Sequence, residues 1–164
     1  MKFRPIVLSG LFAALIFAAT AYILHFPVGN GYIHVGDTLI YVAASVLPLP
    51  YAAAAAAIGG ALADVLTGAP MWAPFTLIIK ALLVLPFTSK RATLMCRRNV
   101  FALFIAAATT TVGYYAAEAI LFGNLIAPLV SVPFSLLQAG ASAALFVFIA
   151  AAMDRAGLKR RVQL

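Results

Sequence analysis

Isolated polar side chains within long apolar runs are the residues of this sequence that could do chemistry, and Lys80 is the clearest of them. It lies in the middle of TLIIKALLVL, residues 76–85, where almost every neighbour is apolar. An ionisable group inside a bilayer is costly enough to be a candidate for function, either in binding a ligand or in relaying a proton. The polar residues in such settings are Asp37, Asp64, Lys80, Glu118 and Gln138.

The composition of the chain indicates an integral membrane protein. Of its 164 residues, 65% are hydrophobic and 9% are charged, whereas soluble domains carry about a quarter charged residues. Mean hydropathy is +1.09. The net charge of +7 is therefore interpreted as a signal of membrane topology, and no nucleic-acid partner is expected. The single cysteine, Cys96, excludes a disulfide framework and a cysteine-based metal site.

Apolar segments separated by turn-rich stretches predict a single all-α domain, 1–164, with six transmembrane helices. The run at the N-terminus is long enough to span a bilayer, at roughly 20 residues. We therefore interpret it as a span and not as a cleavable signal. The expected helices are 5–24, 38–48, 51–67, 73–88, 100–123 and 131–153.

The basic residues decide between six spans and five. If 38–67 folds back at Pro48 and Pro50, ten of the eleven basic residues lie on one side, in agreement with the positive-inside rule. A five-span arrangement would instead export the basic segment 89–99. We therefore expect both termini in the cytoplasm. The ten residues are Lys2, Arg4, Lys90, Arg91, Arg97, Arg98, Arg155, Lys159, Arg160 and Arg161.

The direction of helical side chains brings several polar groups into one layer near the outer ends of the helices. Side chains lean toward the N-terminus of their own helix, so Lys80, about 10 Å below the outer end of the fourth helix, reaches outward. Glu118, about 7 Å below the outer end of the fifth helix, leans inward. Gln138 reaches outward from a similar depth in the sixth helix, and Asp64 is close enough to join them.

Aromatic and loop residues surround this polar layer. An aromatic wall with a few directional polar groups suits a small, flat, polar molecule. We therefore expect a substrate pocket here that includes Lys80, Glu118, Gln138 and Asp64 together with Trp72, Tyr114, Tyr115, Asn30, Tyr32 and His34.

Structural roles compete with ligand binding at several of these positions. Asp37 follows Gly36 where the second helix starts, and its expected role is an N-cap. Lys80 could simply form an internal salt bridge with Asp64 or Glu118. Trp72 could be an interfacial belt residue. No metal site is expected, because His34 has no acidic or cysteine partner at ligand spacing.

Small residues recur every four positions on two helices. Gly10, Ala14 and Ala18 form such a strip on the first helix, and a second strip on the third helix includes Ala52 and Gly60. Flat strips let helices approach closely in lipid. Internal packing is expected for the third helix, whereas the first strip fits internal packing and the docking of a partner equally well.

Sequence motifs of enzymes and of self-contained transporters are missing. There is no G-x-x-x-x-G-K-[ST], no H-E-x-x-H and no G-x-S-x-G, so neither ATPase nor hydrolase activity is expected in this chain, and no cofactor. Inverted repeats with paired broken helices, typical of many secondary transporters, are also missing. The chain is therefore expected to be one part of a larger machine.

Three short motifs lie within residues 31–82, namely H-x-G-D at 34–37, Ala63-Asp64 and TLIIK at 76–80. With these motifs as its closest points, the stretch resembles the S components, the substrate-binding membrane subunits of energy-coupling factor (ECF) vitamin transporters. The similarity is to the branch of riboflavin-, pyridoxine- and hydroxymethylpyrimidine-type binders. The helix count and the small-residue strip of the first helix agree with this family over nearly the whole chain.

The resemblance implies a six-helix protein of a prokaryotic plasma membrane that captures a water-soluble vitamin or heterocyclic precursor from outside. Its implied partners are a transmembrane T component and two ATPase subunits, with Gly10, Ala14 and Ala18 as the docking face. The implied pocket lies between the outer ends of helices four to six, under the loop that joins helices one and two. Two alternatives stay open: an autonomous channel or proton-coupled permease that uses Asp64, Lys80 and Glu118, and a purely structural subunit.

Overall fold

Six α-helices make up most of the computed structural model, which describes residues 3–23, 26–28 and 31–159. For 26–28 and 31–33 it describes the backbone alone. Their number agrees with the sequence prediction, and their bounds differ from the expected ones by a few residues. The helices are α1 (Phe3–Ala21), α2 (Gly36–Val46), α3 (Leu49–Leu66), α4 (Ala73–Val84), α5 (Arg97–Phe122) and α6 (Val132–Arg155).

A short β-hairpin between α1 and α2 departs from the expected all-helical fold. Strands β1 (Phe26–Val28) and β2 (Gly31–Ile33) are antiparallel, with Pro27 opposite Tyr32. Aromatic and β-branched residues in this stretch favour strands, although its glycines are typical of turns. A one-turn 3₁₀ helix, Ala127–Val130, precedes α6.

Helices α2 and α3 are separate elements that meet at Pro48, as the basic residues predicted. Leu47 leaves the helix with ψ 152°, and Pro48 is extended at φ −58° and ψ 145°. Proline lacks an N–H group and disfavours a helical conformation in the residue before it. The chain therefore reverses here and does not continue as one kinked helix.

The helices differ in their capacity to cross a bilayer alone. By length and composition, α1, α3, α5 and α6 are candidate spans, whereas α2 and α4 are shorter apolar helices. The 11 residues of α2 extend about 16 Å, roughly half of a bilayer core. Every residue of α2 except Leu39 is buried, so α2 lies inside the bundle, as expected for a short span.

Helix α3 packs tightly against α1 on one side and α4 on the other. A Cβ atom at Gly59 would lie 2.6 Å from the carbonyl oxygen of Ala13 in α1. A Cβ atom at Gly60 would lie 2.9 Å from Cγ of Lys80 in α4. The small residues of α3 therefore serve internal packing, which confirms the expectation for this helix.

Hydrogen bonds gather several chain segments at one end of the bundle. The Ser9 hydroxyl donates to the carbonyl of Tyr51 at 2.8 Å, and Asn99 Nδ2 donates to Ser45 Oγ at 3.1 Å. The carboxylate of Asp154 accepts the backbone N–H groups of residues 94 and 95 at 2.8 and 2.9 Å. We call this the basic end, because it carries Arg4, Lys90, Arg91, Arg97, Arg98, Arg155 and Lys159.

Candidate functional site

A buried salt bridge joins α4 to α2. Lys80 Nζ lies 2.6 Å from Asp37 Oδ1, and the two side chains are 1% and 0% exposed. A buried charge without a partner is strongly destabilising, so this pairing explains how the bundle holds the lysine. Lys80 thus bonds to Asp37, and not to Asp64 or Glu118 as the sequence suggested.

The prediction that Asp37 is the N-cap of α2 is wrong. The helix begins at Gly36, its N-cap residue is Val35, and no side chain caps it. Asp37 lies within the first turn, and its carboxylate points into the bundle, where Lys80 supplies the opposite charge. A cap and a buried acceptor look alike in sequence, because both place an acidic residue at the start of a helix.

Gln138 extends the salt bridge to α6 and to the segment that follows the hairpin. Its Nε2 donates to Asp37 Oδ2 at 3.2 Å, while its Oε1 accepts the backbone N–H of His34 at 3.2 Å. The imidazole of His34 accepts the N–H of Gly36 through Nδ1 at 3.0 Å. We call Lys80, Asp37, Gln138 and His34 the buried polar network. It unites three of the residues expected at the pocket.

Aromatic residues from α4 and α5 line the same region. Lys80 Nζ lies 5.1 Å from the ring centroid of Tyr114, a cation–π distance. The hydroxyls of Tyr114 and Thr76 are 3.1 Å apart. The ring of Trp72 lies 6.3 Å from that of Tyr114 and 6.4 Å from that of Phe122. Trp72 is only 8% exposed, so it belongs to this wall and is not a lipid-facing belt residue.

Two acidic residues flank the buried polar network. Glu118 lies one helical turn beyond Tyr114 on the same face of α5 and is 8% exposed. In the part of the chain that the structure describes, no hydrogen bond or ion pair engages its carboxylate. Asp64, 4% exposed, lies one turn beyond Gly60, the residue that touches Lys80. The site thus combines one neutralised ion pair with further buried acidic groups.

Of the other expected pocket residues, Tyr115 is not part of this network. The Tyr115 hydroxyl donates to the carbonyl of Leu125 at 2.7 Å and so ties down the loop after α5. Asn30 lies outside the described residues, as does the side chain of Tyr32. Phe122 was missed by the sequence analysis, because an apolar residue at a helix end gives no signal of a ring contact.

The small-residue strip of α1 faces away from the bundle. Gly10 and Ala14 are exposed and Ala18 is half-buried, and a Cβ atom at Gly10 would meet nothing within 4 Å. Internal packing therefore does not account for Gly10 and Ala14. The strip leaves a flat surface open to lipid or to another helix.

A family model described as ECF-type riboflavin transporter, S component, matches residues 1–155. The chain belongs to this family. This S component is therefore a membrane protein and a substrate-binding subunit of an ECF transporter, and not an enzyme. A search of curated proteins gives no match.

Proposed function

We propose that this S component captures a water-soluble vitamin or heterocyclic precursor from outside the cell, between the outer ends of α4, α5 and α6. The observation that carries the proposal is the buried polar network beside the aromatic wall of Trp72 and Tyr114. Ligand pockets combine such walls with a few fixed polar groups. The hairpin covers the pocket, and Asn30, Tyr32 and His34 contribute contacts from above.

The charges of the site favour a neutral or zwitterionic heterocycle. Lys80 is neutralised by Asp37 at 2.6 Å, so it offers no free positive charge to a strongly anionic ligand. Glu118 is the acceptor for N–H or O–H groups of the substrate. Flavin-, pyridoxine- and pyrimidine-type molecules have the flat ring and the donor edge that this arrangement needs.

The proposed orientation has six crossings with both termini in the cytoplasm of a prokaryotic cell. It is supported by the basic end, where the start of α1, the α2–α3 turn, the segment after α4 and the end of α6 come together. Cytoplasmic loops carry an excess of lysine and arginine. The candidate site then lies toward the outer face of the membrane.

The proposed partners are an ECF transmembrane T component and two ATPase subunits. Gly10, Ala14 and Ala18 form the docking face, since two of them are exposed on α1 and none carries a large side chain. Small residues let a partner helix approach closely within the bilayer. This role leaves energy coupling to the partner subunits.

Reconstitution separates this function from that of an autonomous permease. The S component is placed in liposomes alone, or with its T component and ATPases. We expect uptake of the bound vitamin only in the complete system, with ATP on the side of the membrane that carries the ATPase subunits. Proton-dependent flux through the chain alone would instead favour a relay through Asp64, Lys80 and Glu118.

A further inference from the structure

A groove of ≈ 680 Å³ opens at the basic end, away from the candidate substrate site. One wall is the α2–α3 turn, and the other is the end of α4 with the segment that follows it. The groove thus lies between the ends of the two short helices α2 and α4. Its lining includes Leu49, Pro50, Leu85, Thr88, Lys90 and Arg98.

The polar side of the groove is cationic. Arg98 donates through Nε to the carbonyl of Pro86 at 3.0 Å, which holds its guanidinium in place. A guanidinium has five N–H donors, and among the described residues no partner is found for the others. Lys90 is exposed, and its ammonium forms no salt bridge with any described residue. None of the described lining residues is acidic.

The opposite side of the groove is apolar and open. Leu49 is 49% exposed and Leu85 is 51% exposed. Leu49 begins α3 and Leu85 follows the last residue of α4, so both lie where the bilayer core meets its charged surface. A soluble anion would gain nothing from these leucines, whereas an acyl chain would bury them.

We propose that this groove binds one anionic phospholipid, with its phosphate between Lys90 and Arg98 and its acyl chains along Leu49 and Leu85. Basic pockets between helices on the cytoplasmic side suit anionic lipid headgroups, because charge and apolar burial act together there. The placement of this lipid in the cytoplasmic leaflet rests on the proposed orientation, whereas the rest of the proposal does not. Because the groove and the substrate site lie apart, lipid binding and vitamin binding can fail independently.

Native mass spectrometry of the full chain in mild detergent tests this proposal with phosphatidylglycerol and phosphatidylcholine as probes. We expect one phosphatidylglycerol per chain, held in preference to phosphatidylcholine. Lys90→Gln should weaken this binding by about fivefold, the typical effect of one cation near an anionic lipid. Arg91→Gln is the matched control, because Arg91 is also exposed but does not line the groove.

A second variant covers the apolar side and guards against misfolding. Arg98→Gln is not used, because it would also remove the hydrogen bond to Pro86 that holds the segment after α4. Leu85→Gln is used instead, because it removes apolar contact at an exposed position. Leu85→Gln should weaken binding of both lipids while thermal unfolding stays unchanged.

Four results would overturn the proposal. The first is equal retention of the two lipids, and the second is an equal loss in Lys90→Gln and Arg91→Gln. The third is full displacement of phosphatidylglycerol by inorganic phosphate, which would identify a free-anion site. The fourth is unchanged lipid binding in Lys90→Gln together with weakened assembly with the T component, which would make the groove a protein-docking surface.

Discussion

Lys80 of α4 and Asp37 of α2 form a 2.6 Å salt bridge in the interior of the bundle. Asp37 also accepts a hydrogen bond from Gln138 of α6, so its two carboxylate oxygens join three helices. This arrangement anchors α2, which is shorter than the helices that could cross a membrane by themselves. The lysine that stood out in the sequence therefore has a structural partner inside the candidate site.

Loss of the lysine charge should destabilise the fold. Lys80→Met leaves the Asp37 carboxylate buried without its cation, which costs about 3–5 kcal/mol. Thermal unfolding in detergent, followed by circular dichroism, should show a clear fall in Tm. The double variant Asp37→Asn/Lys80→Met removes both charges and should recover most of that fall. A single variant as stable as the parent would contradict the assigned pairing.

Glycine at position 59 should be essential to the contact between α1 and α3. A Cβ atom there would lie 2.6 Å from a backbone oxygen that cannot move aside, so Gly59→Ala should cost about 1–3 kcal/mol through overpacking. Gly140→Ala is the control, because nothing lies within 4 Å of its Cβ position in α6. The control should be neutral or slightly stabilising. Equal Tm values for the two variants would rule out the close approach of these helices.

Glu118 should contribute to ligand affinity and not to folding. No described residue bonds to its carboxylate, so Glu118→Gln breaks no bond within the described chain and should not lower Tm. Loss of a charged acceptor should weaken vitamin binding by about tenfold or more. Tyr115→Phe serves as the comparison, since its hydroxyl bonds to Leu125 and its loss should change affinity by less than about twofold. Isothermal titration calorimetry measures both, and a reversed order of effects would place the ligand elsewhere.

The small-residue strip of α1 should contribute to assembly with the ECF partners, and not to folding or to vitamin binding. Gly10→Leu adds a large side chain where nothing lies within 4 Å, so folding and vitamin binding should persist while uptake with the ECF partners falls. Gly140→Leu is matched to it, because Gly140 is also exposed and open on another helix. Co-purification with the T component reads out docking directly. Equal co-purification of both variants would exclude the strip as the docking face.

The sequence predicted the secondary-structure elements better than it predicted which side chains bond to one another. Hydropathy and the basic residues predicted the helices and the reversal at Pro48, since both follow from the chemistry of the bilayer. Side-chain direction placed Lys80 and Gln138 in one layer, and the structure joins them through Asp37. The partner itself was missed, because the rotation of α2 relative to α4 is set by tertiary packing, which local spacing does not encode.

The hydrogen bonds that Asn99 and Asp154 form at the basic end were not predicted, for a related reason. Asn99 bonds to Ser45 and to the segment that precedes α5, and Asp154 bonds to two backbone N–H groups of the same segment. Each residue sits near a helix end, where polar side chains are common. Only the three-dimensional arrangement shows that they fasten the basic segment to the bundle.

Binding of a vitamin by the purified chain without ATP tests the central claim most directly. Riboflavin, pyridoxine and hydroxymethylpyrimidine are titrated into the full chain in detergent, with calorimetry for stoichiometry and the emission of Trp72, the single tryptophan, as a reporter of the site. We predict saturable binding of one of these ligands, one molecule per chain, with a change in Trp72 emission that Glu118→Gln weakens. Absence of binding by all three, in protein whose thermal unfolding shows it to be folded, would contradict the assignment of this site.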